Sequence, residues 1–453
     1  MTKKKDTSDK PELKSLVTSS ISRTSKLLSL SLRVGADAAV LSVRGFLSGT
    51  QKADLSRKFL IDQAIRLTEE LGKLKGSMQK AGQLFSIYGE HFLPPEVAFI
   101  LKALQKDTPP VTWKIMQATA QRTLGHERLK ELQINPKPIG TASIGQVYRT
   151  SVAGDSGEWC LKLQYPGVDK SIDSDLKILR SIFGVVRFIP KDMNLDGLFE
   201  EIRAMLHREV DYLKEADATE KFKDWLRTDQ RFVIPKVNRN FTTRRAIMTS
   251  YEYGFDVDGI EVSQLSQDRR NRLGEAFLEL FFMEFFSFRT VQTDPHFGNY
   301  RVRLDPNNTD QWVLLDFGAI RTFPQTFVKQ YKAIIEAVIF NADPHGMFKA
   351  LRSLGIMTNE DDAKDIQAFY EISQLISEPF MTEEPYHWGK TGLAQRVAAK
   401  VKSVLFDHGI RRPPEELVFL DRKIGGVFTI LQKLDAVISA RPMLERYLAS
   451  TQS

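Results

Sequence analysis

Hydrophobic and polar residues repeat at helical intervals over most of this chain. Between residues 53 and 125 the helical spacing is interrupted at FLPPEVA (92–98) and DTPPVT (107–112), where paired prolines end one helix and open the next. Helical spacing returns at 169–189 and 195–222. The sequence therefore predicts a mainly α-helical protein in which strands are confined to a few short stretches.

An alternating pattern predicts a small sheet between these helical regions. IGTASIGQVYRT (139–150) and EWCLKLQY (158–165) alternate, and the GDSG tetrapeptide between them is typical of a turn. Short alternating stretches near 231–237 and 244–250 predict two further strands, and after residue 320 the pattern is helical almost to the end. This order predicts an α+β fold in which a small sheet precedes a mostly helical region.

The stretch TDPHFGNYRVRLDPNNTDQWVLLDFGAI (293–320) combines a predicted hairpin with oxygen-bearing side chains. Two strands flank the turn DPNNTD, so Asn299 before the first strand and Asp316 after the second come to the same end. Asp294 lies five residues before Asn299, as in a protein-kinase catalytic loop, and residues 316–318 match the kinase D-F-G. Asn and Asp oxygens suit Mg²⁺, and an Asp that holds no metal can orient or deprotonate a hydroxyl.

Each of these motifs has a simpler explanation when it stands alone. Asp-Pro-His recurs at 343–345, where an Asp N-cap and a proline in the first helical turn explain it fully. In the first copy we interpret His296 as a structural residue that anchors the loop, with a proton carrier as the alternative.

The second strand of the small sheet offers a cation for phosphate. Trp159, Leu161 and Leu163 share one face, so Lys162 projects from the other, where a kinase carries its phosphate-pairing lysine. A solvent-exposed lysine is the alternative interpretation.

A carboxylate partner for this lysine is predicted in LFEEIRAMLHREVDYLKEA (198–216). At 100° per residue, Glu209 falls inside the apolar arc of this stretch and Asp211 points the opposite way. Because a carboxylate among apolar side chains is costly unless it is paired, we expect Glu209 to bind Lys162.

Composition and charge restrict the classes of partner. The 453 residues are 42% hydrophobic and 27% charged, which is ordinary globular composition, and the formal charge of +7 is compatible with an anionic ligand. We expect no nucleic-acid partner, because no basic stripe with interleaved aromatic residues is present. The single cysteine, Cys160, excludes an internal disulfide framework and suits a reducing compartment.

The sequence contains no uncharged apolar run long enough to predict a transmembrane helix. The most apolar stretch, 273–288, carries Glu275, Glu279 and Glu284 and predicts a buried amphipathic helix instead. Residues 14–36 are basic and serine-rich with Leu and Ile at helical intervals. Two interpretations of that segment stay open, a helix on a membrane surface and a solvated tail.

Eight short motifs in order resemble those of the UbiB-type atypical kinases, also called the AarF/ADCK family. They are KGSMQKAGQ (75–83), LQKDTPP (104–110), ASIGQVY (142–148), LKLQYPGV (161–168), EVDYLKEA (209–216), TDPHFGN (293–299), LLDFG (314–318) and FLDRKIGG (419–426). The resemblance implies a protein-kinase-like two-lobe fold with an N-terminal helical extension. It further implies binding of ATP with Mg²⁺ and an association with prenylquinone (ubiquinone-type) lipid metabolism.

The same resemblance implies a role for each matching residue. Lys162 would hold the phosphates, Glu209 would pair with it, Asp294 would be the catalytic-loop Asp, and Asn299 and Asp316 would bind the metal.

Two further motifs are implied to contact the nucleotide. The K-x-G-Q signature places Lys80 and Gln83 over the nucleotide, with the packed face of their helix turned away. The phosphate loop supplies the other predicted contacts, Gly140, Thr141, Ala142, Ser143, Ile144, Gly145 and Gln146.

Two departures from an ordinary kinase change these expectations. The phosphate loop is not G-x-G-x-x-G, and Gly140 and Thr141 replace alanines often found in the family, which predicts a more flexible loop with an open effect on turnover. Only a few residues separate Gly318 from Pro324 and a predicted helix at 325–340, and no A-P-E follows. The sequence therefore predicts no platform for a peptide substrate.

These patterns predict four parts. They are a basic serine-rich segment (1–45), a helical extension with the K-x-G-Q motif (46–128), a kinase-like N-lobe (129–253) and a helical C-lobe (254–453).

The expected function is a Mg-dependent atypical kinase or ATPase that acts on a lipid or small molecule. The alternative is a non-catalytic ATP-binding regulator or assembly factor of a lipid-biosynthesis complex. We expect a cytoplasmic or organelle-matrix protein, with peripheral membrane contact and the oligomeric state left open.

Overall fold

The computed structural model describes residues 76–89, 110–185, 195–408 and 414–450. The described chain forms two compact units. The first holds the residues up to Ala216 together with Lys236–Tyr251, and the second holds Asp217–Pro235 and the residues from Glu252 onward.

Some sequence predictions lie outside the described residues. These are the N-terminal segment 1–45, including its membrane-surface alternative, and the helix break at 92–98. The second predicted break is followed by a new helix that begins at Trp113. The division of the chain into four parts stays a prediction.

The first unit contains a four-stranded antiparallel sheet of order β1-β2-β3-β5. Its helices and strands in chain order are α1 (Ser77–Gly89), α2 (Trp113–Leu124), α3 (His126–Lys130), β1 (Leu132–Thr141), β2 (Gly145–Val152), β3 (Glu158–Gln164), α4 (Val168–Val185) and α5 (Leu195–Glu209). Along the chain they are followed by α6 (Tyr212–Trp225), which begins in the first unit and ends in the second, by β4 (Phe232–Val233) of the second unit, and by β5 (Ala246–Ser250) of the first.

The alternating residues of β3 divide between the two faces of this sheet. Leu161 and Leu163 are fully buried in one core cluster with Met116 of α2, which confirms the predicted face. Lys162 projects from the other side, where Tyr212 and Ala216 of α6 lie in a second core cluster. The stretch predicted as one strand at 139–150 is the end of β1, a turn and the start of β2.

The predicted helix 195–222 is interrupted, and the interruption changes the direction of its side chains. Helix α5 ends at Glu209 and α6 begins at Tyr212. The carbonyl of Val210 accepts a hydrogen bond from Gln164 Nε2 at 2.6 Å, and Asp211 Oδ1 accepts one from the amide of Leu213 at 3.3 Å. Because these bonds replace those of a continuous helix, the 100° phase does not carry across Val210 and Asp211.

The second unit contains a four-stranded sheet of order β4-β9-β8-β6 and the two-stranded sheet β10-β7. Its elements up to this second sheet are β6 (Phe255–Asp256), α7 (Ile260–Ser263), α8 (Gln267–Phe282), a π-helical turn (Met283–Ser287), β7 (Thr290–Gln292), β8 (Tyr300–Arg303), β9 (Gln311–Leu314) and β10 (Ile320–Thr322). The remaining elements are α9 (Gln325–Ile335), α10 (Pro344–Ser353), α11 (Ala363–Ser377), β11 (Tyr386–His387), α12 (Trp388–Thr391), α13 (Leu393–His408), α14 (Glu415–Lys433), β12 (Val437–Ile438) and α15 (Ala440–Ser450).

Helix α8 is a core helix, as its pattern predicts. Leu273, Phe277 and Leu280 are buried, and Trp312 of β9 donates its indole hydrogen to the Leu273 carbonyl at 2.9 Å. None of the helices in the described part of the chain is long and apolar enough to cross a membrane.

Candidate functional site

Lys162 is held by a carboxylate of helix α6. Its Nζ donates to Glu215 Oε1 at 2.8 Å and to Oε2 at 3.0 Å, and it also lies 5.1 Å from the centre of the Tyr212 ring. The side chains of Lys162 and Glu215 are 16% and 9% exposed. An ion pair this shaded from water is stronger than a surface pair, so the lysine is held in one orientation.

The prediction that Glu209 pairs with Lys162 is wrong. Glu209 Oε1 instead binds Lys80 Nζ of α1 at 2.6 Å, and both side chains are largely buried. The physical reason is the break between α5 and α6, which ends the apolar arc at Glu209 and begins a new helix that turns Glu215 toward β3. The K-x-G-Q lysine is thus bound to the acid that the sequence assigned to the phosphate lysine.

The second half of the predicted phosphate loop, from Ser143 to Gln146, packs closely against neighbouring residues. A Cβ at Gly145 would lie 2.4 Å from the Leu163 carbonyl oxygen and 2.9 Å from the Tyr212 hydroxyl, so only glycine fits there. The amide of Gly76, just before α1, donates to the carbonyl of Ser143 at 3.1 Å. At Gly140, by contrast, a Cβ would make ordinary contact at 3.8 Å with Val147. An alanine therefore fits at Gly140.

Two of the predicted nucleotide contacts have side chains that serve the core. Gln146 is fully buried, accepts from the Val111 amide at 2.5 Å and donates to the Val111 carbonyl at 3.2 Å. Ile144 is 5% exposed and packs with Tyr212 and Val168. These structural roles were not anticipated from the sequence. The partly or fully exposed residues of the loop are 139–143.

In the second unit the predicted hairpin forms and brings Asn299 and Asp316 to one end. Strands β8 and β9 pair from Tyr300 with Leu314 onward, and the Leu315 amide donates to the Asn299 carbonyl at 2.9 Å. Asp316 Oδ1 accepts a hydrogen bond from the Gly318 amide at 2.8 Å, which fixes the turn of the D-F-G segment. Phe317 is buried against the ring of Phe222 at 4.6 Å.

Asp294 and Asn299 lie against each other in the loop before β8. Asn299 Nδ2 donates to the Asp294 carbonyl at 2.9 Å and lies 3.4 Å from Asp294 Oδ2. With its amide nitrogen turned to Asp294, Asn299 turns its side-chain oxygen away from that carbonyl. The loop therefore presents a carboxylate and an amide oxygen side by side.

A buried polar network binds this loop to strands β7 and β8. Gln292 of β7 donates through Nε2 to the Asp294 carbonyl at 2.9 Å and accepts through Oε1 from the Tyr300 hydroxyl at 2.9 Å. Burial raises the pKa of Tyr300 well above its usual value, and the negative charges of Glu284, Asp294 and Asp316 raise it further. Tyr300 therefore stays a neutral hydrogen-bond donor across the physiological pH range.

Helix α14 contacts the loop through residues to which the sequence analysis gave no role. Arg422 Nη2 donates to Asp294 Oδ1 at 2.6 Å, and Lys423 Nζ lies 2.7 Å from Glu284 Oε2. Lys423 and Glu284 are 1% and 2% exposed. Helical spacing could have found Lys423, because it lies in the apolar arc of α14 with Phe419, Leu420, Val427 and Ile430.

The two Asp-Pro-His motifs have different structural roles. His296 Nδ1 accepts from the Gly298 amide at 3.0 Å, which confirms the interpretation of a histidine that anchors the loop. Asp343 is the N-cap of α10, accepts from the His345 amide and is followed by Pro344 in the first turn. The second motif is thus a helix start.

The segment after the D-F-G motif is short. Strand β10 begins at Ile320 and pairs with β7, and helix α9 begins at Gln325. The short connection and the helix after Pro324 are as the sequence predicts, and the lack of a peptide platform stays a prediction.

The donor set fits a magnesium ion that takes its other ligands from phosphate and water. Among the described residues no group of three or more His, Cys, Asp or Glu side chains could enclose a metal ion. Asn299 and Asp316 offer one amide and one carboxylate oxygen at a common hairpin end. Such sparse oxygen donors suit Mg²⁺ bound together with a nucleotide, whereas a structural zinc site would need more ligands.

Comparison with protein-family models identifies the family of this chain. Residues 103–351, just over half of the chain, match the model of the ABC1 atypical kinase-like domain. The chain belongs to the UbiB family of atypical kinases. This confirms the family that the eight motifs predicted.

Curated relatives of this UbiB-family chain carry atypical-kinase names. The chain is 31% identical over 382 residues to the zebrafish (Danio rerio) protein named atypical kinase COQ8B, mitochondrial, covering 84% of this chain and 60% of that protein. It is 28% identical over 439 residues to the Saccharomyces cerevisiae protein named atypical kinase COQ8, mitochondrial, covering 96% and 86% respectively. A Dictyostelium discoideum protein named probable serine/threonine-protein kinase abkA is 29% identical, covering 87% and 72%.

A solved structure has the same fold as this UbiB-family chain. It is a Mycobacterium tuberculosis protein determined in complex with erythromycin, with a TM-score of 0.59, 23% sequence identity and coverage of 89% of this chain and 100% of that one. Together with the family match, it confirms the predicted kinase-like α+β fold.

Proposed function

We propose that this chain is a Mg-dependent atypical kinase or ATPase that uses ATP. The observation that carries the proposal is the hairpin end that brings together the loop of Asp294 and Asn299 and the D-F-G segment of Asp316. Asn299 donates to the Asp294 carbonyl, and its own carbonyl accepts from the amide of Leu315, the residue before Asp316. A protein that only bound nucleotide would have less use for a catalytic-loop Asp beside both metal ligands.

Each of these side chains has a distinct role in the proposed reaction. An oxygen of the acceptor or of water forms a bond to the γ-phosphorus of ATP while the bond to the bridging oxygen breaks, and its electron pair leaves on ADP. Asp294 orients this attacking oxygen, whose proton is released to solvent. Asn299 and Asp316 would hold Mg²⁺, which would neutralise phosphate charge.

In the first unit, the proposal assigns phosphate binding to Lys162. Glu215 fixes the ammonium group with two hydrogen bonds, so the lysine keeps its charge and its direction. Lys80 and Gln83 of α1 and the partly or fully exposed residues 139–143 are the further proposed contacts to the nucleotide. The Lys80–Glu209 pair fixes α1 against α5. The amide of Gly76, just before α1, donates to the carbonyl of Ser143 and so joins the start of α1 to the loop.

We propose a lipid or another small molecule as the phosphoryl acceptor, within prenylquinone (ubiquinone-type) metabolism. Two features support this choice. The D-F-G segment leads directly into β10 and α9, which leaves no peptide platform at that position, and the yeast and zebrafish relatives are named atypical kinases COQ8 and COQ8B. Both names include the word mitochondrial, which supports an organelle-matrix location.

The experiment that tests the proposed function measures phosphate release from ATP with and without Mg²⁺ by the purified full chain. Asp316→Asn is expected to abolish Mg-dependent turnover without lowering the thermal unfolding midpoint. Asp343→Asn is the matched control, because Asp343 also accepts a backbone hydrogen bond but caps α10, where asparagine serves equally well. Equal turnover in wild type and Asp316→Asn would reject the metal assignment.

A second candidate function is an ATP-binding regulator or assembly factor of a lipid-biosynthesis complex. The observation that favours it is the pairing of Lys80 with Glu209, which holds the extension helix α1 against helix α5 of the first unit. If the chain is such a regulator, it should bind nucleotide and Mg²⁺ and release no phosphate with any added lipid. Phosphate release or a mass-shifted lipid after incubation with lipid extracts would exclude it.

A further inference from the structure

Helix α14 lies outside the residues matched by the family model, yet it contacts the proposed catalytic loop directly. The contact joins residues 128 positions apart in sequence, Arg422 and Asp294, at 2.6 Å. The arginine is 28% exposed and the aspartate 26%. The pair is therefore shaded enough to be stronger than a surface ion pair, and open enough for a substrate to reach.

The hydrogen bonds around Asp294 show what the arginine controls. The backbone carbonyl is fixed by Gln292 and Asn299, each at 2.9 Å. On the side chain, Oδ1 takes the strong charge-assisted bond from Arg422, whereas Oδ2 has a contact of 3.4 Å with Asn299. Arg422 is thus the residue that sets the rotation of the carboxylate and leaves Oδ2 as its less engaged oxygen.

The position of Arg422 is itself fixed by its neighbours on α14. Lys423, the next residue, is buried in an ion pair with Glu284 of the π-helical turn that follows α8. At Gly426, one turn further, the helix backbone approaches Pro295 so closely that a Cβ would lie 2.1 Å from the Cβ of the proline. These two contacts prevent α14 from sliding or rotating relative to the loop, so the guanidinium group is preorganised.

From this geometry we propose that Arg422 is a positioning residue for Asp294, which aims Oδ2 at the attacking water or hydroxyl group. The proposal rests on the proposed function, since it assigns a partner to the proposed catalytic-loop Asp. Arg422 acts through its bond to Asp294 and is assigned no contact with metal or nucleotide. Its removal should therefore lower the rate of the chemical step while leaving nucleotide affinity nearly unchanged.

The test compares Mg-dependent phosphate release from ATP by the full-length wild type and by Arg422→Ala, Arg422→Lys and Arg396→Ala. Arg396 is the control because it also pairs with a carboxylate of the second unit, that of Glu378, far along the chain from the loop. We expect kcat of Arg422→Ala to fall on the order of 100-fold, as misplaced reacting groups do, with KM for ATP changed by less than about threefold. Arg422→Lys should keep an intermediate kcat, and Arg396→Ala should match the wild type.

Chemical rescue separates positioning from a merely structural role. Guanidinium ion at sub-denaturing concentration should restore part of the kcat of Arg422→Ala and none of that of an Asp294→Asn variant. Unchanged kcat in Arg422→Ala beside an active wild type overturns this inference and leaves the proposed function standing. A loss of kcat that guanidinium does not restore, accompanied by a lower unfolding midpoint, overturns it in favour of a packing role. If the wild type itself shows no Mg-dependent turnover, the proposed function is rejected and this inference with it.

Discussion

Glu215 binds Lys162 with both carboxylate oxygens, although Glu209 is the acid that the apolar pattern of the sequence favours. The two acids are six positions apart on consecutive helices, α5 and α6. Each has its own lysine, because Glu209 binds Lys80 at 2.6 Å. In the described part of the first unit, these two largely buried ion pairs therefore join different lysines to different glutamates.

Double-mutant cycles on ATP turnover should measure this specificity. Glu215→Gln is expected to lower kcat/KM on the order of 100-fold, because the phosphate-binding ammonium group loses its orientation. Combining Lys162→Met with Glu215→Gln should cost little more than Lys162→Met alone, which gives a coupling energy of at least about 1 kcal/mol.

The matched cycle of Lys162→Met with Glu209→Gln is the control. These effects should add within about 0.5 kcal/mol, because Glu209 is paired with Lys80. Strong coupling of Lys162 to Glu209 together with weak coupling to Glu215 would contradict the pairing.

Local chemistry explains which parts of the site could be predicted from the sequence. The hairpin follows from the turn residues between β8 and β9, and the face of Lys162 follows from the period of two in β3. The partner of Lys162 could not be predicted in this way. It depends on the end of α5, which is decided by the hydrogen bond from Gln164 to the Val210 carbonyl.

Long-range contacts account for the rest of what the sequence did not show. Arg422 lies 128 positions from Asp294, and no local pattern connects them. The core role of Gln146 likewise depends on Val111, which lies 35 positions earlier in the chain. Such pairs are specified by the packed fold, whereas helical or strand periodicity indicates only which residues share a face.

Two adjacent glycines of α14 provide a test of the contact between this helix and the loop. A Cβ at Gly426 would lie 2.1 Å from the Cβ of Pro295, whereas a Cβ at Gly425 would meet nothing within 4 Å. Gly426→Ala should therefore destabilise the second unit by about 1–3 kcal/mol and lower ATP turnover, because the loop that carries Asp294 must shift.

Gly425→Ala is the internal control and should have the opposite sign. Alanine favours the interior of a helix over glycine by up to about 1 kcal/mol, so the unfolding midpoint should rise with turnover unchanged. Urea unfolding and phosphate release measure both effects. Equal behaviour of the two variants would show that α14 does not contact Pro295.

The cluster of Tyr386, Glu378 and Arg396 predicts a dependence of stability on pH at both extremes. Arg396 lowers the pKa of Glu378, and burial with a hydrogen bond to Glu378 raises the pKa of Tyr386 to about 12. A raised tyrosine pKa contributes stability that is complete below pH 10, the usual value, and is lost as the pH rises through about 12. The lowered carboxyl pKa acts in the other direction, and its stability is lost as the pH falls below the usual glutamate value.

Tyr386→Phe isolates the alkaline part of this dependence. Its unfolding midpoint should fall less steeply than that of the wild type between about pH 10 and 12, while the acid side keeps most of its slope. Thermal unfolding scanned across pH provides the measurement. Identical alkaline slopes in the two proteins would mean that the phenol is not shifted.

The buried pair of Lys423 and Glu284 predicts a strongly non-additive response to substitution. Lys423→Met leaves the Glu284 carboxylate in a site from which water is excluded, since both side chains are at most 2% exposed. Removing one member of such a pair costs about 3–5 kcal/mol, because the remaining charge is uncompensated. The double variant Lys423→Met with Glu284→Gln removes both charges, so it should recover most of that loss. Urea unfolding of the two single variants and the double variant gives the coupling.

ATP turnover of the same variants shows whether the pair only supports α14. If it does, the double variant should also recover ATP turnover, because Arg422 then returns to Asp294. Recovered stability with turnover still lost would show instead that the charges beneath the loop act on the chemical step themselves.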